Sequence, residues 1–289
     1  MSARTRRVTA ADKPDILEIS RLTWEGHDYL PLVLDDWLNG EDSKMYGVRV
    51  GEHVIAVANL RVIENGKTGW MEGLRVHPDH RRKGYADLLT QKLIEAGKQL
   101  HLQRLRYTTG IDNEASVRLA EKHGFTRLCE VGVLFAPRPR KAPKMKAHVS
   151  IREAEAAEVY ALLQRKSNII PHGVLVHDWK ALDLSLEALQ TIGKDSKFHI
   201  SLKDDEISSL SFAYPRRRPD LMWTFTIYAD GLEGTLSQFA YNLILSERNN
   251  CTVIMGTYDA KYEALFQKSK WIPKNRWITR LLLLERKMQ

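Results

Sequence analysis

The residue types and spacing best suited to chemistry lie in Leu74-Arg75-Val76-His77-Pro78-Asp79-His80-Arg81-Arg82-Lys83-Gly84-Tyr85-Ala86. A β-like run ends at Val76, and Pro78 prevents its continuation. A short basic loop follows, and Gly84 and Ala86 then open a helix. Small residues at a helix start let backbone N–H groups approach a ligand closely. Those groups have no partner inside the helix and sit at its positive end. Arg81, Arg82 and Lys83 add positive charge. The run predicts a cradle for a pyrophosphate. The competing reading is a surface strand–helix loop with ordinary solvated charges. The coincidence of strand end, proline, basic loop, glycine and amphipathic helix disfavours it.

Just upstream, alternation with period two places Trp70, Glu72, Leu74 and Val76 on one face of a strand. Glu72 is then a carboxylate among apolar neighbours, where desolvation favours a proton acceptor. A substrate ligand is the equal alternative, and the plain one is a carboxylate paired with an arginine. His77 and His80 have no Cys, Asp or Glu partner at metal-ligand spacing, so no metal is expected. Cys129 sits in a strand-like run as inert core, and no Ser-His-Asp set with a nucleophile elbow is present.

These residues need a scaffold. Ile16, Leu17, Ile19 and Leu22 recur at helical spacing after the cap Asp12 and the early Pro14, and Asp35 to Leu38 reads as a second short helix. Tyr46, Val48 and Val50 alternate, Gly51-Glu52 makes a tight turn, and Val54 to Ile63 is almost wholly apolar. Asn65-Gly66 turns the chain again into Thr68 to Val76. A helix follows on Ala86, Leu89, Leu93, Ala96 and Leu100, then a strand at Arg104 to Thr109, a helix from Asn113 to Gly124, and a strand at Leu128 to Phe135.

The stretch Ala136 to Lys146 mixes Pro137, Pro139 and Pro143 with five basic residues. It reads as a solvated linker. A nucleic-acid arm is the weaker alternative, because no aromatic residue interleaves the charges as a stacking surface. Beyond it the order repeats faintly: Ile151-Arg152-Glu153-Ala154 echoes Arg7-Val8-Thr9-Ala10, and Leu265 to Trp271 echoes Leu119 to Phe125. Strands are expected at Phe198–Leu202, Leu210–Tyr214, Met222–Tyr228 and Thr252–Gly256, with a helix over Thr235 to Glu247. The chain of 289 residues has 43% hydrophobic and 28% charged residues, as two globular domains would, and a net charge of +8 that suits an anionic ligand. Its two cysteines form no CxxC pair, no apolar run approaches the ~20 residues that span a bilayer, and the basic start leads into no apolar core. A cytoplasmic protein without membrane partner is expected.

Arg81-x-x-Gly84-x-Ala86 with Val76-His77-Pro78 resembles the acetyl-CoA signature of the GCN5-related N-acetyltransferase (GNAT) superfamily. Asn113-x-x-Ser116-x-x-Leu119-Ala120-x-x-x-Gly124-Phe125 resembles its second block. The likeness covers roughly Arg4 to Phe135. Asp28-Tyr29-Leu30-Pro31, Trp37-Leu38 and Glu72-Gly73-Leu74-Arg75-Val76 are similar to the vertebrate histidine N-acetyltransferase subgroup. The resemblance implies an α/β fold, a mixed and mostly antiparallel sheet splayed open between the strands ending at Val76 and beginning at Arg104, flanked by helices. It implies acetyl-CoA as cosubstrate, with the pantetheine arm on the backbone of Leu74, Arg75 and Val76. The pyrophosphate would lie on Arg81, Arg82, Lys83, Gly84, Tyr85 and Ala86, with Asn113 and Ser116 facing the cofactor. It places Trp24, Asp28 and Tyr29 at the acceptor pocket, where Asp binds an ammonium and aromatic rings stack on it; Trp24 and Tyr29 as core residues fit the sequence as well.

The superfamily's usual general acid is a tyrosine at the position of Ala120, so no acid is assigned. Tyr85, Tyr107 and Ser116 are the substitutes in reach, or the thiolate leaves unassisted, its thiol pKa being about 8.5. The equivalent of the cradle in the second half, Tyr228 to Gly234, carries two carboxylates where phosphates need positive charge. The expectation is therefore tandem GNAT-like domains: an acetyl-CoA-binding domain over 1–136, a linker over 137–147, and a degenerate domain over 148–289. Only one strand, Leu128 to Phe135, is found where the single-domain pattern ends in two, and Trp277 to Leu284 could supply the other. The function expected is N-acetylation of a small-molecule amine, such as the amino acid histidine. A protein or peptide N-acetyltransferase and a non-catalytic acyl-CoA-binding module are the alternatives.

Overall fold

The structure is a computed structural model, and it describes residues 3–141, 150–166, 168–177, 179–216 and 221–288. In chain order the first part forms β1 (Arg4–Arg7), α1 (Lys13–Arg21), α2 (Leu30–Asn39), β2 (Ser43–Val50), β3 (His53–Ile63), β4 (Thr68–Val76), α3 (Tyr85–Gln99), β5 (Arg104–Gly110), α4 (Glu114–Lys122) and β6 (Thr126–Pro137). There follow β7 (Arg152–Ala154), α5 (Ala156–Arg165), β8 (Val174–His177), β9 (Lys180–Asp183), α6 (Leu186–Ile192), β10 (Lys197–Lys203) and β11 (Glu206–Arg216). The chain ends with β12 (Met222–Ala229), α7 (Leu232–Arg248), β13 (Val253–Asp259), α8 (Glu263–Lys268) and β14 (Trp277–Lys287). The second helix is longer than the Asp35 to Leu38 expected. Pro31 sits in its first turn, where a missing N–H costs nothing, so the helix starts at Leu30 and runs through the proline.

The chain forms two compact units that do not follow the linear division expected. The first takes the residues up to Tyr107, Glu114–Arg127 and those from Leu284 onward; the second takes Thr108–Asn113 and Leu128–Leu283. Pro137, expected to open the linker, is the last residue of β6 and stands opposite Val253, and most of the linker, 142–147, lies outside the described residues.

In the first unit β1, β2, β3 and β4 run antiparallel in that order, and β5 lies parallel to β4. The hairpins turn at Gly51-Glu52 and over Glu64 to Lys67, as the turn residues predict. On one face α1 and α2 bury Ile16, Leu30, Leu34 and Trp37 against Val8, Met45, Val54 and Val57. On β4 the glycine Gly69 admits Leu60, Leu102 and Leu105 so closely that a Cβ there would lie within 2.8 Å of each. The C-terminal part of β14 completes this unit's sheet beside β5. There Glu285 accepts from Arg106 Nε at 2.8 Å and lies 2.6 Å from Nη2, with side chains 11% and 3% exposed.

The second unit repeats the order. β7, β10, β11 and β12 are antiparallel, β13 is parallel to β12, and β6 lies antiparallel to β13. Its α7 buries Phe239 and Leu243 against Phe225 and Ile254.

Arg106 makes the C-terminal strand a stability element. Replacing Glu285 by Ala removes a carboxylate partner of a buried cation, while others, among them Glu64 at 3.9 Å, remain. Such a loss costs about 3–5 kcal/mol, and here the lower end is expected. Urea unfolding should show it; a loss below about 1 kcal/mol would mean that Arg106 is balanced elsewhere.

Candidate functional site

The parallel ladder between β4 and β5 is short. It joins Thr68, Gly69 and Trp70 to Arg104, Leu105 and Arg106 and then stops, so β4 from Met71 to Val76 diverges from its neighbour. Beyond Val76, Pro78–His80 makes one tight helical turn and the chain reaches α3 through two left-handed residues, Arg82 (φ +61°) and Gly84 (φ +82°). A Cβ on Gly84 would meet nothing within 4 Å, so open space lies in front of the helix start. The first-turn amides of Tyr85, Ala86 and Asp87 point toward it, as at any helix N-terminus. Lys83 is tied to the loop by donating to Asp79 O, and Arg81 by donating to Val76 O; Arg82 has no side-chain partner among the described residues. Burial, with Lys83 and His77 nearby, pushes the His80 imidazole below its ordinary pKa.

The second feature is a bulge. Val57 stands opposite Arg75 and Asn59 opposite Glu72, so Gly73 and Leu74 together face Ala58. Gly73 is left-handed (φ +67°), and a Cβ there would lie 2.4 Å from the Trp37 ring. Only glycine fits, because both the backbone and the packed indole forbid a side chain. The bulge inverts the alternation. Trp70, Glu72 and Arg75 share one face, and the expectation that Leu74 and Val76 lie with Glu72 is incorrect. An isolated glycine inside a strand is the sequence signal for such a bulge.

The inversion brings Arg75 under the loop between α1 and α2. Arg75 donates from Nε and Nη2 to the two oxygens of Asp28, at 3.1 and 2.9 Å, and from Nη1 to Leu74 O at 3.0 Å. The Asp28 carboxylate has no exposed surface, so it anchors this loop and does not face a ligand. The guanidinium lies 4.3 Å from the Trp24 ring centroid and 5.4 Å from that of Tyr29. Trp24 and Tyr29 are not core: they are 59% and 39% exposed. Trp24, Glu25 and Gly26 are consecutive left-handed residues, a costly conformation for the first two, held by the ring on Arg75. Desolvation of its hydroxyl raises the Tyr29 phenol above its ordinary pKa.

Glu72 is not set among apolar neighbours. Its Oε1 accepts from Asn59 Nδ2 at 3.0 Å and from Arg61 Nε at 3.1 Å. Arg61 also donates from Nη1 to Asp42 at 2.9 Å. Asn59, Arg61 and Asp42 were missed in the sequence because the run Val54 to Ile63 reads as uniformly apolar; the polar pair two residues apart within it is the available signal. Asn59 is fully buried and is itself fixed by donation from Ser43 Oγ.

Ser116 and Asn113 are placed differently. Ser116 is on α4 in the first unit, and its carbonyl accepts from Tyr107 Oη at 3.2 Å. Asn113 precedes α4 and falls in the segment Thr108–Asn113 of the second unit. Tyr107 is raised above its ordinary pKa by burial, and Ala120 is buried. Among the described residues no group of three His, Cys, Asp or Glu could hold a metal, and no helix is long and apolar enough to cross a membrane.

Comparison with known proteins follows this geometry. Residues 13–125 match the model of the Acetyltransferase (GNAT) family. Histidine N-acetyltransferase of Xenopus tropicalis is 25% identical over 194 residues, covering 60% of this chain and 58% of that protein. The chain thus spans little more than half the length of the curated relatives it matches first. Two solved structures share the fold: a GCN5-related N-acetyltransferase from Sphaerobacter thermophilus (TM-score 0.65, 15% identity, 99% of this chain and 95% of that one). The other is a tandem GNAT protein from the clavulanic acid biosynthesis pathway (TM-score 0.58, 12% identity, 99% and 98%). Residues 13–125 thus match the acetyltransferase (GNAT) family, and the chain has the fold of tandem GNAT proteins.

Proposed function

We infer that the chain is an acetyl-CoA-dependent N-acetyltransferase acting on the amine of a small molecule, an amino acid such as histidine being the favoured acceptor. The observation that carries this is the pairing of the Gly84 cradle with a β4 strand that leaves its neighbour after Trp70. Open space before the α3 amides, with Arg81, Arg82 and Lys83 around it, suits a pyrophosphate. The free edge of Leu74, Arg75 and Val76 suits the pantetheine amides, and Ser116 is the remaining residue of this unit assigned to the cofactor. Acetyl-CoA supplies an activated acyl carbon as a thioester.

The chain's residues act on the amine. Glu72 offers Oε2, which takes no hydrogen bond among the described residues, to the acceptor ammonium. The amine must lose a proton to attack, and Glu72 receives it directly or through water. The new N–C bond forms as the C–S bond breaks, and the electron pair leaves on sulfur. No residue is assigned to protonate the thiolate. Tyr107 donates to a carbonyl, and Ala120 carries no proton. Trp24 and Tyr29 line the acceptor side, and Asp28 serves it through Arg75. The likeness to histidine N-acetyltransferase supports an amino-acid acceptor.

The second unit shapes the protein without binding a cofactor. Its β11–β12 ladder runs unbroken from Ser209–Ala229 to Arg216–Met222, with no bulge. Its parallel ladder extends to Thr226. The β8–β9 hairpin lies on β12, where Tyr228 Oη donates to Val174 O and accepts from Val176 N. Asp230, at the would-be cradle, is paired with Lys166.

Release of CoA thiol from acetyl-CoA against free amino acids, including histidine, and peptide amines tests the reading. Release with an amino acid is expected. Acetyl-CoA binding without release for any amine would favour an acyl-CoA-binding module, and release with peptides alone a protein acetyltransferase. Gly84→Glu should abolish acetyl-CoA binding in a folded protein, since it fills the cradle with bulk and negative charge at a left-handed position. Unchanged affinity by calorimetry would move the cofactor elsewhere. Glu72→Gln should lower kcat by about 10²–10⁴-fold with acetyl-CoA affinity kept. A rise in KM alone would make Glu72 an ammonium ligand and not a base.

A further inference from the structure

The side chains of Arg61 and Glu72 are each held by some of their polar atoms and leave others open. Arg61 uses Nε on Glu72 and Nη1 on Asp42; its Nη2 makes no hydrogen bond among the described residues. Glu72 uses Oε1 on Asn59 and Arg61, and its Oε2 is equally open. Both side chains are mostly buried yet reach solvent, at 20% and 15% exposure. Neither open atom is sealed inside the protein. The fold therefore fixes an open two-donor-capable guanidinium edge beside an open carboxylate oxygen, on the same β3–β4 face that carries Arg75.

We propose that Arg61 Nη2 is the subsite for the α-carboxylate of a zwitterionic acceptor whose ammonium lies on Glu72 Oε2. The proposal rests on the acetyl-transfer reading above and deepens it. The charges decide for a zwitterion over a simple amine. Arg61 and Glu72 offset one another, and so do Arg75 and Asp28. Asp42, the remaining carboxylate on Arg61, is 46% exposed and screened by water. A plain cationic amine on Glu72 would share that one carboxylate with the Arg61 guanidinium. An amino acid carries its own anion on the adjoining carbon and completes an alternating row of charge. Arg61 is pre-oriented by Asp42 and Glu72, so the carboxylate gains charge-assisted hydrogen bonds without the cost of ordering a long side chain.

The test compares a free amino acid with the amine left when its α-carboxylate is removed, histidine and histamine being the probes. With the wild-type protein, the KM for histidine should be lower than that for histamine by about 10- to 100-fold. Arg61→Gln should raise the histidine KM by more than it changes the histamine KM, so that the histidine-over-histamine preference falls by about 10- to 100-fold, and it should keep acetyl-CoA affinity. Equal use of both amines by the wild-type protein would overturn the subsite and leave acetyl transfer standing. Failure of every amine would overturn both. If Arg61→Gln does not fold, competition by N-blocked histidine, which keeps the carboxylate, replaces it. Inhibition that vanishes when that carboxylate is made an amide supports the subsite, and equal inhibition by the amide overturns it.

Discussion

One residue without a side chain sets the geometry of the first unit. Gly73 must take a left-handed backbone under the Trp37 ring, and β4 gains an extra residue against β3. Every side chain after it changes face. Arg75 would otherwise project to the opposite side of the sheet. Instead it meets Asp28, whose carboxylate is wholly buried, and the loop bearing Trp24 and Tyr29 is fastened to the strand. The same irregularity lies where β4 has already parted from β5, so the backbone beyond it has polar groups to offer. A single backbone constraint thus links the loop bearing Trp24 and Tyr29 to the strand edge of Leu74 to Val76.

The second unit shows what remains when that constraint is absent. Its strand order is the same, but β12 is regular, the parallel pairing reaches further, and a hairpin lies where the first unit has its loop. The polar seam of Ser209, Ser211, Gln238 and Asn242 is fully paired under α7, with Trp223 donating to Asn242. Such a network fixes packing and leaves little for a ligand. The scaffold is repeated, and the bulge of β4 is not repeated in β12.

Much of the scaffold was legible because its signals are local. Gly51-Glu52 and Asn65-Gly66 turn hairpins where the sequence puts them, and Leu89 and Leu93 mark the buried side of α3. The turn and left-handed entry before α3 were legible for the same reason, since glycine, proline and basic residues act within a few positions. Two kinds of fact were not. Phase along β4 depends on whether Gly73 pairs or bulges, which only the opposing strand and Trp37 decide. The partners of Glu72, Asn59 and Arg61, come from β3, and Arg61 is held in turn by Asp42; sheet register brings them to Glu72, and within Val54 to Ile63 only their spacing as a polar pair hints at it.

The assignment of β6 and β14 bears on how the chain acquires its structure. The first unit draws its last strand from residues beyond Leu284, and the second draws β6 from before the proline-rich stretch. The buried pair Arg106 and Glu285 is separated by 179 positions in sequence. Contacts that distant form late, because a long loop must close before they are gained. During synthesis the amino-terminal unit therefore waits for the Glu285 partner of Arg106 until the whole of the second unit has emerged. The portion made first is completed last, after the residues of the second unit.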